Sequence, residues 1–292
     1  MKNLLVLLSY IQKRKSVTVK ELQRFAKDQL GIDNSRYLYK TYLRYLLQHG
    51  HILRHRKGLY SIVDVENPDS LPDMIIMASR LRDPYYLGYT SALEMWGAAP
   101  VIYSSYIVSV QKQDYFSSFN LPESNPKYTI NATMSSDFIY GLRKVKYQEE
   151  EVIVSSPART LIEIINRPQL VGGWAEMIRA LYLLTMEFRP NDLNEVIELL
   201  ELNLFKKKSL VGRVGYLLEV FSSVGTLSNS MDLLNELRDW VNDGSPVYLV
   251  NRNVLEKVYR DERWNIFVPT DFHERYIEGQ QIYPSLESLT VS

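Results

Sequence analysis

The chain has 292 residues, and its 34 basic and 34 acidic side chains give a formal net charge of zero. That balance excludes a uniformly polybasic nucleic-acid binder, and 46% hydrophobic with 23% charged residues excludes a disordered chain. The absence of cysteine excludes disulfides, thiolate metal sites and a cysteine nucleophile. The zero conceals an asymmetry: residues 1–62 hold 13 basic and three acidic side chains, a surplus of ten, and the remainder holds 21 basic and 31 acidic. Such a split points to a nucleic-acid-binding module joined to a part with another task. The length suits about two domains. No stretch approaches the ~20 apolar residues of a membrane span, so no membrane association and a cytoplasmic location are expected. The apolar run Leu4–Leu8 is too short for a signal peptide and is followed by Lys13-Arg14-Lys15, so it reads as a core helix.

In chain order, Leu4, Leu5, Leu7, Leu8 and Ile11 give a first helix by their spacing. Thr18 and Glu21 form a capping-box pattern that opens a second helix with Leu22, Phe25, Ala26 and Leu30, and Gly31 closes it. A third helix follows residues 32–35 and runs to about Gln48. Leu38, Tyr42, Leu43, Leu46 and Leu47 face inward, and Tyr37, Lys40, Thr41 and Arg44 face outward, with Arg36 at the N-terminal end. Residues 51–63 read as a basic hairpin turning at Lys57-Gly58. Three helices and a basic hairpin describe a winged helix-turn-helix over residues 1–66. Its third helix would enter the major groove of double-stranded DNA with Arg36, Tyr37, Lys40, Thr41 and Arg44. Arg54, Arg56 and Lys57 of the wing would hold phosphate. Two plainer readings stay open: a solvated helix face with a basic turn, and a protein-interaction module.

Asn67-Pro68-Asp69 and Pro72 mark a boundary near 64–70. A larger mixed α/β region is expected over 67–276, with a helical C-terminal part and a poorly packed tail over 277–292, making the fold class α+β. The spacing predicts helices over Met74–Arg82, Ser91–Trp96 (capped by Thr90), Pro157–Ile165 (capped by Ser156), and near 173–184, 193–202, 209–221 and 231–241. Strands are expected over 103–110, 127–132, 142–147, 151–154, 247–250 and 264–267. Trp96, Trp174, Trp240 and Trp264 read as core anchors.

Catalytic patterns are weak. His273 is the one histidine outside residues 1–62, and no nucleophile elbow accompanies it. His49, His51 and His55 border the wing. Walker A and GxGxxG loops are absent, and Gly172-Gly173 reads as a helix-start turn. Glu149-Glu150-Glu151 beside Lys144 and Lys146 reads as a solvated strand connection rather than a nuclease site. The expectation is a non-enzyme without cofactor or metal.

Three segments resemble AbiEi-type antitoxins in order along the chain: Tyr89-Thr90-Ser91-Ala92-Leu93 before Trp96-Gly97; Val154-Ser155-Ser156-Pro157-Ala158-Arg159-Thr160-Leu161-Ile162-Glu163; and Gly212-Arg213-Val214-Gly215-Tyr216-Leu217-Leu218-Glu219. Glu163 stands where that family more often has aspartate. The resemblance implies an antitoxin of a type IV toxin–antitoxin operon, of the abortive-infection kind. Its winged helix would bind inverted repeats in its own promoter and repress transcription. Its larger part would counteract a nucleotidyltransferase-like toxin, without stable binding being implied. Arg159, Thr160, Glu163, Arg213, Tyr216 and Glu219 are the motif side chains so marked. By position, Arg159 and Thr160 would anchor Glu219 or a neighbouring carbonyl, and Arg213, Tyr216 and Glu219 would belong to a buried polar network between two helices. Lys206-Lys207-Lys208 reads as a solvated helix start. Two other classes remain open from the residues: a ligand-sensing transcription regulator, and a DNA-processing enzyme with a winged-helix targeting part.

Overall fold

The computed structural model describes residues 2–64, 66–67, 72–121, 127–202, 208–223, 225, 227, 231–241, 244–250 and 257–278. It is a mixed α/β fold, as the pattern of periods predicts. Two compact units form. One comprises Met1–Leu87, Ser104–Phe138 and Arg143–Val154; the other comprises Gly88–Tyr103, Ile139–Leu142 and Ser155–Ser292. The boundary expected near 64–70 lies inside the first unit. Residues 279–292 of the expected tail lie outside the described set.

The first unit begins with helix α1 (Lys2–Arg14), strand β1 (Ser16–Thr18) and helix α2 (Val19–Leu30). Thr18 and Glu21 make the capping box: the Thr18 hydroxyl accepts from the Glu21 amide at 3.2 Å, and Glu21 accepts from the Thr18 amide at 2.7 Å. Gly31 ends α2 in the left-handed region at φ 65°. A continuous helical run follows, made of α3 (Ser35–Leu38), a π turn (Tyr39–Leu43) and α4 (Arg44–Gln48). Strands β2 (Ile52–Arg56) and β3 (Leu59–Ile62) form the expected hairpin. β1, which short-range pattern does not announce, pairs antiparallel with β3, so β3 is the central strand. Leu7, Ile11, Val17, Leu22, Ala26, Leu38, Leu43, Leu46, Ile52 and Tyr60 make one core. Leu5, assigned inward by its spacing, is 59% exposed.

Helix α5 (Met74–Ser79), capped by the Asp73 side chain, is shorter than predicted and wholly buried. A six-stranded sheet takes the order β6 (Ser118–Asn120), β7 (Thr129–Met134), β5 (Ser105–Val110), β4 (Tyr85–Gly88), β9 (Glu150–Ser155), β8 (Leu142–Tyr147). β5 and β7 run parallel, and β5 is buried from Tyr106 to Val110, as suits a parallel strand covered on both faces.

An ion-pair ring joins these elements within the unit. Arg14 meets Glu21 at 3.4 Å and Glu150 at 3.2 Å; Arg80 meets Glu21 at 3.0 Å and Glu150 at 2.6 Å. Glu150 is therefore no solvated connection: it is buried against two guanidiniums. Sequence pattern misses this because its partners lie far away along the chain. Glu149 is exposed as expected, and Glu151 pairs with Lys144 at 3.3 Å.

In the second unit, α6 (Tyr89–Met95) starts from Gly88, so Thr90 is inside the helix and not its cap. Helices α7 (Pro157–Asn166), α8 (Trp174–Met186), α9 (Pro190–Glu201), α10 (Lys208–Ser223) and α11 (Met231–Asp239) follow the predicted order. α7 packs on α6, α8, α9 and α10. A small sheet places β12 (Ile266–Pro269) between β10 (Val247–Tyr248), parallel to it, and β11 (Val258–Asp261), antiparallel to it. Of the four tryptophans only Trp264 is fully buried; Trp96, Trp174 and Trp240 are partly exposed. Among the described residues, no helix is long and apolar enough to cross a membrane.

The ring gives a stability prediction. Glu150→Ala leaves Arg14 and Arg80 facing each other with Glu21 alone between them, and is expected to cost roughly 3 kcal/mol in denaturant unfolding. Glu149→Ala, one residue away and exposed, is expected to stay within about 0.5 kcal/mol of wild type.

Candidate nucleic-acid interface

The helical run Ser35–Gln48 is set up by Asn34, whose side chain accepts from the Tyr37 amide at 3.0 Å. Leu38, Leu43 and Leu46 are buried, and Tyr42 and Leu47 are partly so. Arg36, Tyr37, Lys40, Thr41 and Arg44 are all exposed, as the spacing predicts. Tyr39 and Tyr45, which that spacing did not single out, are exposed as well. Tyr45 stacks on His49 at 3.9 Å between ring centroids, and His49 lies parallel to His51 at 6.4 Å.

The hairpin divides its cations. Arg54 and Lys57 are exposed, Lys57 beside Gly58, whose φ of 85° makes the turn. Arg56 turns inward: its guanidinium donates to the Leu81 carbonyl at 3.1 Å. Burial, helped by the nearby Arg82, holds the Arg56 pKa below its ordinary value. Of the three wing cations, Arg54, whose Nε donates to the Arg56 carbonyl at 3.4 Å, and Lys57 are the exposed ones. His55 sits between them with its Nε2 2.6 Å from the Ser61 hydroxyl, and burial holds its pKa below the usual imidazole value.

The motif side chains of the second unit are committed to packing. Ser156 caps α7 by accepting from the Arg159 amide, with Pro157 at its first position. Arg159, 1% exposed, donates to Glu163 at 2.9 Å and to the Tyr140 carbonyl. Of the two anchors expected for Arg159, the neighbouring carbonyl is the one found; Glu219 is not its partner. Thr160 bonds to the Ser155 hydroxyl at 2.8 Å. On α10, Arg213 donates to the Tyr248 carbonyl at 2.9 Å, and the Tyr216 hydroxyl meets that of Tyr259 at 3.2 Å. Glu219 accepts from Arg263 and from the Trp264 indole N–H. The expected network between two helices is corrected: these three side chains reach separate partners and tie α10 to the β10–β12 segment. Gly215 explains why that segment can lie so close. A Cβ there would stand 2.0 Å from Trp264 Cζ3, and one at Gly212 would stand 2.6 Å from the Trp264 carbonyl. Lys206 and Lys207 lie outside the described residues.

Chemically, Arg159 and Glu163 neutralise each other inside the core, and Glu219 is held by Trp264 and Arg263. No group of three or more His, Asp or Glu suited to a metal ion occurs among the described residues. His273 is exposed. Arg36, Lys40 and Arg44 of the helical run, with Arg54 and Lys57 of the hairpin, are exposed cations in an interval that contains no Asp or Glu.

Residues 143–220 match the model of the AbiEi antitoxin C-terminal domain family. The chain thus carries an AbiEi-type antitoxin domain, and the resemblance drawn from residues 154–163 and 212–219 is borne out over that stretch. Among solved structures, the RV2827C protein from Mycobacterium tuberculosis is similar, with a TM-score of 0.58, 14% identity, and 90% of this chain and 89% of that one covered. At that identity the likeness concerns the fold. No curated protein sequence matches the chain.

Two measurements check this geometry. Gly215→Ala drives a methyl into the Trp264 ring and is expected to destabilise by about 2 kcal/mol or more, read as a lowered denaturation midpoint. For His55, the folded-state pKa lies below the unfolded one, so the unfolded chain takes up the proton first. Folding stability is therefore expected to fall as pH drops below about 6.5. His55→Gln should flatten that part of the profile, seen by comparing unfolding midpoints at pH 7 and pH 5.

Proposed function

We propose that this chain, with its AbiEi-type antitoxin domain, is a DNA-binding repressor of its own toxin–antitoxin operon and the antidote to a nucleotidyltransferase-like toxin. In this reading residues 1–66 are a winged helix-turn-helix and residues 67–276 are the antitoxin part, acting in the cytoplasm. It works as a type IV antitoxin, so its neutralising effect does not require a stable complex with the toxin.

The observation that carries the DNA-binding half is the exposed cationic face of the helical run Ser35–Gln48. Arg36, Lys40 and Arg44 project from it with Tyr37 and Thr41 between them, and Arg54 and Lys57 extend the positive surface onto the hairpin. A helix presented this way fits the major groove, where arginine and lysine reach guanine O6 and N7 and a tyrosine or threonine reaches a thymine methyl. The two hairpin cations suit backbone phosphate and set register. Inverted repeats follow if two copies bind related half-sites. The AbiEi match supports the antitoxin half.

A gel-shift titration with the duplex immediately upstream of the gene tests it. Wild type is expected to form a salt-sensitive complex, each neutralised phosphate contributing about −0.9 to the slope of log affinity against log salt. Arg36→Ala, Lys40→Ala and Arg44→Ala together should abolish the complex. Unchanged binding by the triple variant would overturn the assignment of this helix. Co-expression with a nucleotidyltransferase-like toxin encoded beside the gene tests the antitoxin half: rescue of growth is expected, and no rescue overturns it.

A further inference from the structure

The helical run Ser35–Gln48 contains one irregularity with a direct effect on its outer face. Tyr39, Leu43 and Leu46 stand at i, i+4 and i+7, the spacing that in an unbroken α-helix places all three on one inward stripe. Leu38 and Leu43, five apart, would in such a helix lie about 140° from each other at about 100° per residue. The structure nevertheless buries Leu38 with Leu43 and Leu46. It does so through the π turn Tyr39–Leu43, in which the Arg44 amide bonds to the Tyr39 carbonyl five residues back. The wider turn absorbs one residue and shifts the register above it. Leu38 takes the inward place, and Tyr39 is turned out, 38% exposed. Tyr39, Lys40 and Thr41 are three consecutive exposed positions between the buried Leu38 and the half-buried Tyr42.

Tyr39 is exposed directly before the exposed Lys40 and Thr41, so its ring lies beside a cation of the helical run. An exposed, rigid ring with two χ angles at that place is an apolar contact set among charges.

We infer that the π turn is a positioning device and that Tyr39 is a sequence-reading residue, its ring lying against the 5-methyl group of a thymine in the major groove. The inference rests on the DNA-binding reading above and names the base class that one side chain of the same surface reads. Thymine is the base whose major-groove edge carries a methyl, so an apolar ring there separates T from the other bases. Lysine and arginine nearby supply attraction without that discrimination.

The test replaces thymines of the upstream duplex one at a time by uracil, which removes the methyl and leaves the pairing edges intact. Wild type, Tyr39→Ala and Tyr39→Phe are titrated against each duplex by fluorescence anisotropy. For wild type, at least one replacement is expected to weaken binding about fourfold, the worth of one buried methyl. That penalty should vanish in Tyr39→Ala and persist in Tyr39→Phe, while the salt slope stays the same in all three. Because Tyr39 is exposed, its truncation is expected to leave the melting midpoint within a few degrees of wild type. If Tyr39→Ala proves less stable than that, the wild-type and Tyr39→Phe titrations decide alone, since absence of any uracil penalty in both overturns the inference. Penalties of equal size in Tyr39→Ala and wild type overturn it too, as does their loss in Tyr39→Phe. Failure of wild type to bind the all-thymine duplex overturns the DNA-binding reading itself, and is told apart from the other failures by that control.

Discussion

The ring of Arg14, Glu21, Arg80 and Glu150 is the constraint on which the first unit depends. Its four members come from the end of α1, the start of α2, the residue after α5 and the start of β9. Glu21 serves twice, since its other oxygen caps α2 at Thr18. The cap fixes the backbone of α2, and the ring fixes where that helix end meets the sheet. Apolar burial is non-directional and does not by itself select one partner group over another. Two guanidiniums and two carboxylates, largely withdrawn from water, tolerate very few arrangements, because any displacement leaves a charge without its partner. The Arg80 Nε also donates to the Ser16 carbonyl at 3.4 Å, which brings β1 into the same arrangement. The helical run that carries the outer cations is packed on the core so held.

The second unit combines shape with charge. Trp264 lies on α10 where Gly212 and Gly215 leave the helix bare, and its indole N–H ends on Glu219, one turn beyond Gly215. The motif over residues 212–219 thus has a physical content. Two glycines admit the ring, one carboxylate receives its polar edge, and Arg213 and Tyr216 fasten the strands on either side. The motif over residues 154–163 is built in a related way. Ser156 and Pro157 start α7, and the Arg159–Glu163 pair lets a guanidinium sit in the core with its charge compensated. Gly141, at φ 62°, leaves room for Arg159 and Leu199, each 3.0 Å from where its Cβ would be.

What was legible in the sequence follows from the range of each interaction. Caps and stops act over three or four residues, so Thr18 with Glu21, Gly31, and Ser156 with Pro157 could be read directly and place their helices correctly. Strands β1, β4 and β6 are three or four residues long and exist because a partner strand is beside them, so their own residues give little sign. Glu150 looked solvated because the arginines that bury it are 70 and 136 positions away. Arg56 looked like its neighbours Arg54 and Lys57, and only the Leu81 carbonyl distinguishes it. At the helical run, two registers competed, one burying Tyr39 and one burying Leu38. The sequence contains both, and the π turn is how packing chose the leucine.

Charge is best judged by where the counter-charges lie. Of the three carboxylates before residue 63, Glu21 is held inside the ring and Asp33 pairs with Lys27 at 3.1 Å. Arg14 and Arg56 are likewise consumed within the unit. Residues 35–63, from the start of the third helical run to the end of the hairpin, contain no Asp or Glu at all. The cations left on that interval, Arg36, Lys40, Arg44, Arg54 and Lys57, have no acidic neighbour along the chain to offset their field, and screening confines that field to within about 10 Å. A surplus of ten spread evenly over 62 residues would be a solvated surface. Five of those cations, gathered on one helical run and one turn with no acidic residue in the interval, make a localised positive potential. Placing the acid-free interval on these two elements is what turns composition into a localised positive surface.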